Sequence, residues 1–419
     1  MGLVVEDSVQ EVRHSQAMLR EHHSAIRLTI TIVTVLVLAG VFYQRAAYNL
    51  GRIDYQNSNF VFFWMAGRMV LSGGDPYNSA QWLAEHDANN VTWHPNRIFP
   101  YPLPLAFLLA PLGLLSLDSA YLIWQLISQI MIAVTIWMLL GRQREPRYQR
   151  MFIPLVLILL FFGPVYLSLQ IGALGAFTLV AVTAAIAALD DKRSLAAGIL
   201  LSLTLLKPPQ GLPILVLVVV WLLSRKDRKA IVGLGVGAVG MLLIGMLEDP
   251  LWLPKFTASS QVVMGRTLGV QSNLLGLAYL ACGGNVSCMW LCGGSAAIII
   301  LAAGSTYLWR HRKDLVPWEA FNLIIPTAFM STIYLWSYDQ ILYIIPVVWI
   351  VLRLIDRTHS YIASFAFLAV LVLVSFVALV IQANTRSDLT SLLTTVLVLA
   401  GFAVMHALEP PTGTSIPTS

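Results

Sequence analysis

Apolar runs, divided by short clusters of Lys and Arg, follow one another along almost the whole of this chain. Such a chain needs lipid over most of its surface, because 58% hydrophobic and 11% charged residues leave too few polar groups to face water on all sides. The composition therefore excludes a soluble globule. A net charge of +5 would point to nucleic acid in a soluble domain, but here the basic residues sit between apolar runs, where they set orientation in the membrane. Since a span needs roughly 20 apolar residues, twelve runs are expected to cross: about 26–44, 118–140, 152–167, 171–189, 195–206, 212–223, 230–247, 288–309, 316–336, 341–355, 359–382 and 389–407. Residues 1–25 mix charges of both signs and lack the order of a removable signal peptide, so the first run is expected to be retained behind a cytoplasmic N-terminal segment. The tail 408–419 reads as a disordered cytoplasmic end, leaving 26–407 as one transmembrane domain.

The segment 99–117, "FPYPLPLAFLLAPLGLLSL", is apolar enough to insert but carries Pro100, Pro102, Pro104 and Pro111. Each proline removes a backbone donor and clashes with the preceding turn, which argues against a straight helix. Charge points the same way. If 99–117 does not cross, 18 of the 26 basic residues lie on the cytoplasmic side; if it does, every later loop inverts and only 7 do, against the positive-inside tendency. Residues 45–117 are thus expected to form one long outward loop. Within it "NFVFFWMAGRMVL" at 59–71, ended by "SGG", reads as an aromatic helix at headgroup depth or as an anchoring belt. The expected architecture is all-α and polytopic, about twelve transmembrane helices with juxtamembrane helices in that first loop.

Ionisable groups at membrane depth need a partner or a wet cavity. Lys207 follows an apolar run and precedes Pro208, Pro209 and Gln210, so it sits at the outer end of a span where the helix must break. An ammonium there suits a phosphate oxygen, and the structural alternative is a lysine snorkelling to the headgroups. Asp339 in "SYDQ" lies in a later outward turn, where it either faces Lys207 or a substrate hydroxyl or is an ordinary turn aspartate. Gln170 and Asn273 offer neutral donors and acceptors to sugar hydroxyls, although helix ends favour such residues anyway. Asp54 precedes the aromatic helix at the level where a carboxylate would meet a headgroup-depth substrate, whereas Asp75 in "GGDPY" is better explained by a turn. "EHD" at 85–87 with His94 matches no tight metal-ligand spacing, and no Walker loop, dinucleotide fingerprint or "HExxH" occurs. No metal and no cofactor are expected. Cys282 and Cys288 either pair outside the cytosol or remain small buried thiols.

Taken in order, "NFVFFWMAGRMVLSGGDPY", "FPYPLPLAFLLAPLGLL" with "AYLIWQ", "LQIGALGAF", "AAGILLSLTLLKPP", "QSNLLG" and "YDQILYIIP" resemble glycosyltransferase family 87 over about residues 55–350. These are the GT-C type polyprenol-phosphate-mannose-dependent α-mannosyltransferases of bacterial envelopes. The resemblance implies a GT-C-like fold and inverting transfer of mannose, or another hexose or pentose, from a polyprenyl-phosphate donor. It also implies an envelope lipid, glycan or protein acceptor, and no nucleotide-sugar domain. The partners implied are that donor, that acceptor and membrane lipids, with no nucleic acid. Localisation would be the plasma (inner) membrane, both termini cytoplasmic and the active site outside. The family carries an aspartate where this chain has Asn59; Asp54, five residues earlier, is the nearest acid. Inverting transfer needs a carboxylate to take the acceptor proton. Asp54 or Asp339 would fill that role, or the chain would only bind. By resemblance Lys207 holds the donor phosphate, Tyr101 with Pro102 shapes the cavity floor, and Gln170 matches a family glutamine although Leu169 replaces the glycine before it. A polytopic lipid or solute transporter is the reading from another class, and it predicts internal symmetry with polar groups at the midplane.

Overall fold

A computed structural model describes residues 58–91, 99–143 and 145–407. The chain divides into Met1–Ile53 and Asp54–Ser419, and every described residue belongs to the second unit. Asp54, the run 26–44, His94 and the two terminal segments lie outside the described residues.

Regular structure among the described residues is helical throughout. The first loop contributes α1 (Asn59–Leu71), α2 (Ser79–Ala88) and α3 (Leu103–Gly113). Then come α4 (Leu117–Gly141), α5 (Phe152–Leu159), α6 (Gly163–Gln170), α7 (Gly175–Asp190) and α8 (Ser194–Ser202), the last continued by a 3-10 turn at Leu203–Leu206. After these follow α9 (Pro208–Ser224), α10 (Arg228–Glu248), α11 (Trp252–Arg266), α12 (Leu274–Ala281) and α13 (Ser295–Arg310). The last helices are α14 (Pro317–Ser331), a 3-10 turn at Ser337–Tyr343 that runs into α15 (Ile344–Thr358), α16 (Tyr361–Thr385) and α17 (Leu392–Ala407).

Six helical segments are long and apolar enough to cross a membrane: Leu117–Gly141, Arg228–Glu248, Val286–Arg310, Ser337–Thr358, Tyr361–Thr385 and Leu389–His406. The pair Pro146–Leu159 and Gly163–Gln170, bent by 63°, makes a seventh if it counts as one span. The protein is therefore a polytopic helical membrane protein, but twelve full-length spans are not reached by this measure. Four of the expected spans, 171–189, 195–206, 212–223 and 316–336, appear as helical segments too short to count as full spans, at 175–190, 194–206, 208–224 and 317–331. For the middle two the cause is local, at Lys207, where Pro208 at the first helical position of α9 forces the preceding residue out of the α region (φ −132°, ψ 76°) and ends one helix as the next begins. The proline-rich stretch yields only the eleven-residue α3, about 16 Å long and so about half the thickness of a hydrocarbon core.

The aromatic helix turns its apolar side chains to protein rather than to lipid. Phe60, Phe63, Met65 and Ala66 of α1 are fully buried, and Phe62 and Trp64 nearly so. Protein covers them: Phe60 stacks on Trp124 with ring centroids 6.1 Å apart and meets Tyr121 edge-on, while Trp64 Nε1 donates to the Leu115 carbonyl at 3.1 Å. The apolarity of α1 thus serves packing against α3 and α4. Contact between α1 and α3 needs Gly113, since a Cβ there would lie 2.7 Å from the Arg68 nitrogen.

Backbone approach is closest where α8 crosses α10. A Cβ on Gly198 would sit 2.0 Å from the Ala230 carbonyl oxygen, and one on Gly233 would sit 2.1 Å from that of Leu195. Small residues at such crossings let helices pack where lipid supplies no hydrophobic drive. Gly233→Ala should therefore destabilise the detergent-solubilised protein by about 1–3 kcal/mol through overpacking. Gly235→Ala, on the same helix with open space around it, should be neutral or stabilising by up to about 1 kcal/mol. Thermal unfolding of the two variants side by side checks the assignment, and equal effects would contradict it.

Candidate active site

The break before α9 exposes the Lys207 carbonyl to the Gln210 and Gly211 amides, and the side chain leaves the helix axis toward the 337–343 turn. Lys207 is only 4% exposed. An ammonium so deeply buried requires a counter-charge, and Asp339, fully buried, supplies it in a direct ion pair. The carboxylate is held on its other side by the turn that carries it, with Oδ2 accepting the Trp336 amide at 3.2 Å. Gln210 Nε2 donates to the Asp339 carbonyl at 3.2 Å, so the first turn of α9 grips the same segment twice. The ammonium also lies 4.7 Å from the centroid of the Tyr338 ring, a cation–π contact.

These groups close one end of a pocket. Asn59 from α1, Tyr101 ahead of α3, Lys207, Tyr334 and Tyr338 line it together with Phe256, Ser260, Val263 and Met264 of α11. Asn59 and Tyr338 lie side by side in this lining. Burial raises the Tyr101 hydroxyl well above its ordinary value and pushes that of Tyr334 up to about 12. Both phenols therefore stay protonated at neutral pH. The pocket wall offers an ammonium and several O–H donors, and its carboxylate stands behind the ammonium, outside the lining. Chemically the lining suits an anion or a polyhydroxylated ligand.

Sequence-selected residues fall into two groups. Asn59, Tyr101 and Lys207 line the pocket, and Asp339 supports Lys207 from behind. Asp75, Gln170 and Asn273 are outside the lining. Asp75 closes a turn, with Oδ1 accepting the Tyr77 amide at 2.9 Å, and pairs with Lys255 at 2.7 Å. The Gln170 carbonyl accepts the Tyr121 hydroxyl at 2.6 Å. Asn273 caps α12, its Oδ1 accepting the Gly276 amide at 2.8 Å, and is fully buried. Tyr334, Tyr338, Gln210 and the α11 wall were not singled out from sequence. For Tyr338 a signal existed, since it adjoins Asp339; for α11 the only signal was the mixed composition of "WLPKFTASSQVVMGR".

Cys282 and Cys288 form a disulfide at the end of α12. Comparison with curated proteins finds no match, and comparison with solved structures finds none. The family model for glycosyltransferase family 87 matches residues 99–332, more than half of the chain. That match includes Tyr101, Lys207 and the α11 wall, and stops short of Asp339. The chain belongs to glycosyltransferase family 87.

Proposed function

We propose that this protein transfers a sugar, mannose or another hexose or pentose, from a polyprenyl-phosphate donor to an envelope lipid, glycan or protein acceptor. Transfer takes place on the outer side of the plasma membrane, with inversion at the anomeric carbon. The observation that carries this reading is the buried Lys207–Asp339 pair at a pocket lined by three tyrosines and by largely apolar residues of α11.

Lys207 turns from Asp339 toward the donor phosphate and stays near the oxygen on which negative charge develops as the anomeric C–O bond breaks. Charge stabilisation at that oxygen is where an electrostatic contact accelerates the step. The phenol of Tyr101 and the amide of Asn59 bond to phosphate or sugar oxygens. The acceptor hydroxyl forms the new C–O bond from the face opposite the phosphate, and its proton passes to a carboxylate. Asp54 is assigned that role: it lies five residues upstream of Asn59, which restricts it to within about 18 Å of a pocket residue along even an extended chain. Asp339 keeps Lys207 oriented in the empty site and holds the charge balance there.

Two measurements on purified protein test these roles, using radiolabelled polyprenyl-phosphate mannose and lipid acceptors. Lys207→Met should lower transfer by at least about 100-fold, and it should destabilise the fold by about 3–5 kcal/mol because it strands the Asp339 charge. The double variant Lys207→Met/Asp339→Asn should recover most of that stability and none of the activity, separating chemistry from folding. Asp54→Asn should reduce turnover by about 10²- to 10⁴-fold while donor binding persists. Undiminished transfer by Asp54→Asn would move the base to Asp339, and absence of donor binding by the unaltered protein would overturn the proposal in favour of a transporter or a non-catalytic relative.

A further inference from the structure

Asp388 is fully buried between α16 and α17, outside both the pocket lining and the family-matched residues. A buried carboxylate is costly unless its oxygens are occupied. Among the described residues no Lys, Arg or His pairs with it, and every partner it has is a neutral donor. One oxygen accepts the amide of Ser337, the first residue of the 3-10 turn, and the other accepts the Ser391 hydroxyl at 2.8 Å. Its own amide donates to the Val270 carbonyl at 2.7 Å, which fixes the carboxylate against the segment leading into α12.

Gln340, on the far side of Asp339, is tied to the same region: its Nε2 donates to the Ser391 carbonyl at 3.1 Å and to Ser272 Oγ at 3.3 Å. Ser272 in turn donates its amide to the Leu335 carbonyl at 3.1 Å. The residues flanking Tyr338 and Asp339 are thus pinned from behind. An ionised acceptor at the start of a turn binds the free amides there more strongly than a neutral one. Burial pushes the Asp388 carboxyl up to about 7, the direction expected of an acid with no cation beside it, and the charge of Asp339 adds to the shift.

We propose that Asp388 is a positioning residue: by clamping the amide of Ser337 and the hydroxyl of Ser391 it sets the 337–343 turn so that Asp339 and the Tyr338 ring meet Lys207. Its consequence for transfer rests on the reading of Lys207 as the donor-phosphate group; its consequence for geometry does not. The test therefore begins without substrate, as amine acetylation of Lys207 at fixed pH followed by mass spectrometry in the full-length protein. Lys207 should be protected in the unaltered chain. In Asp388→Ala its modification should speed up by about tenfold or more, because a clamp of two hydrogen bonds is gone, while Lys255 should react as before. Asp388→Asn keeps an acceptor for Ser337 and should restore most of the protection. Ser391→Ala, which deletes a single hydroxyl, should give a smaller increase and serves if Asp388→Ala does not fold. In transfer assays Asp388→Ala should lower kcat more than it raises the donor KM. Unchanged protection of Lys207 in folded Asp388→Ala or in Ser391→Ala overturns the proposal, and so does failure of Asp388→Asn to restore it. If the unaltered protein binds no donor, the proposed function falls while the labelling result still decides the role of Asp388.

Discussion

Two opposite charges, both withdrawn from water, join segments 132 positions apart in the chain. Desolvating either one alone carries a penalty of several kcal/mol, so Lys207 and Asp339 are each tolerable only while the other is in place. The surrounding fold is arranged to keep them so. Pro208 ends the preceding helix at the lysine, Gln210 holds the aspartate's backbone, the Trp336 amide occupies the second carboxylate oxygen, and Tyr338 covers the ammonium. A pair of this kind adds little net stability compared with apolar packing, but it leaves the ammonium available to a competing anion. The proposed role of Lys207 as a donor-phosphate group rests on that exchange of partners, and the family match is to a glycosyltransferase family.

Chemistry at the pocket is otherwise neutral. Phenols and a carboxamide face the cavity, so a bound anion would meet one positive charge and several hydrogen-bond donors, without a metal ligand set among the lining residues. Asn59 occupies that wall in contact with Tyr338, where the family resemblance places an acid. A carboxylate there would add a second negative charge close to Asp339; the amide avoids it. Under the proposed mechanism the base comes from another part of the chain, the role proposed for Asp54.

Local chemistry in the sequence was legible wherever a residue's role depends on its immediate neighbours. The "LLKPP" stretch showed both that the helix must break at Lys207 and that an ammonium would stand at the break, and the prolines of 99–117 showed that no full span forms there. The turn at Asp75 and the helix cap at Asn273 were legible for the same local reason, since each side chain accepts an amide close to it in the chain. Pairing of Lys207 with Asp339 was one of three readings left open for that aspartate. Roles set by distant partners were hidden. The apolarity of α1 suits lipid or protein equally well, and only the approach of α3 and α4 decides between them. Asp388 gave no sign at all, because the groups it holds include a backbone amide 51 positions away. Asp54 falls outside the described residues, so its place was argued from the sequence alone.

The short helices have a consequence for the lipid beside them. At sixteen and seventeen residues, α7 and α9 are about 24–26 Å long, several ångströms less than a typical hydrocarbon layer. Hydrophobic mismatch of that size is relieved when neighbouring acyl chains shorten, at fractions of a kcal/mol per ångström. The bilayer next to the helix that begins at Lys207 should then be thinner than the bulk.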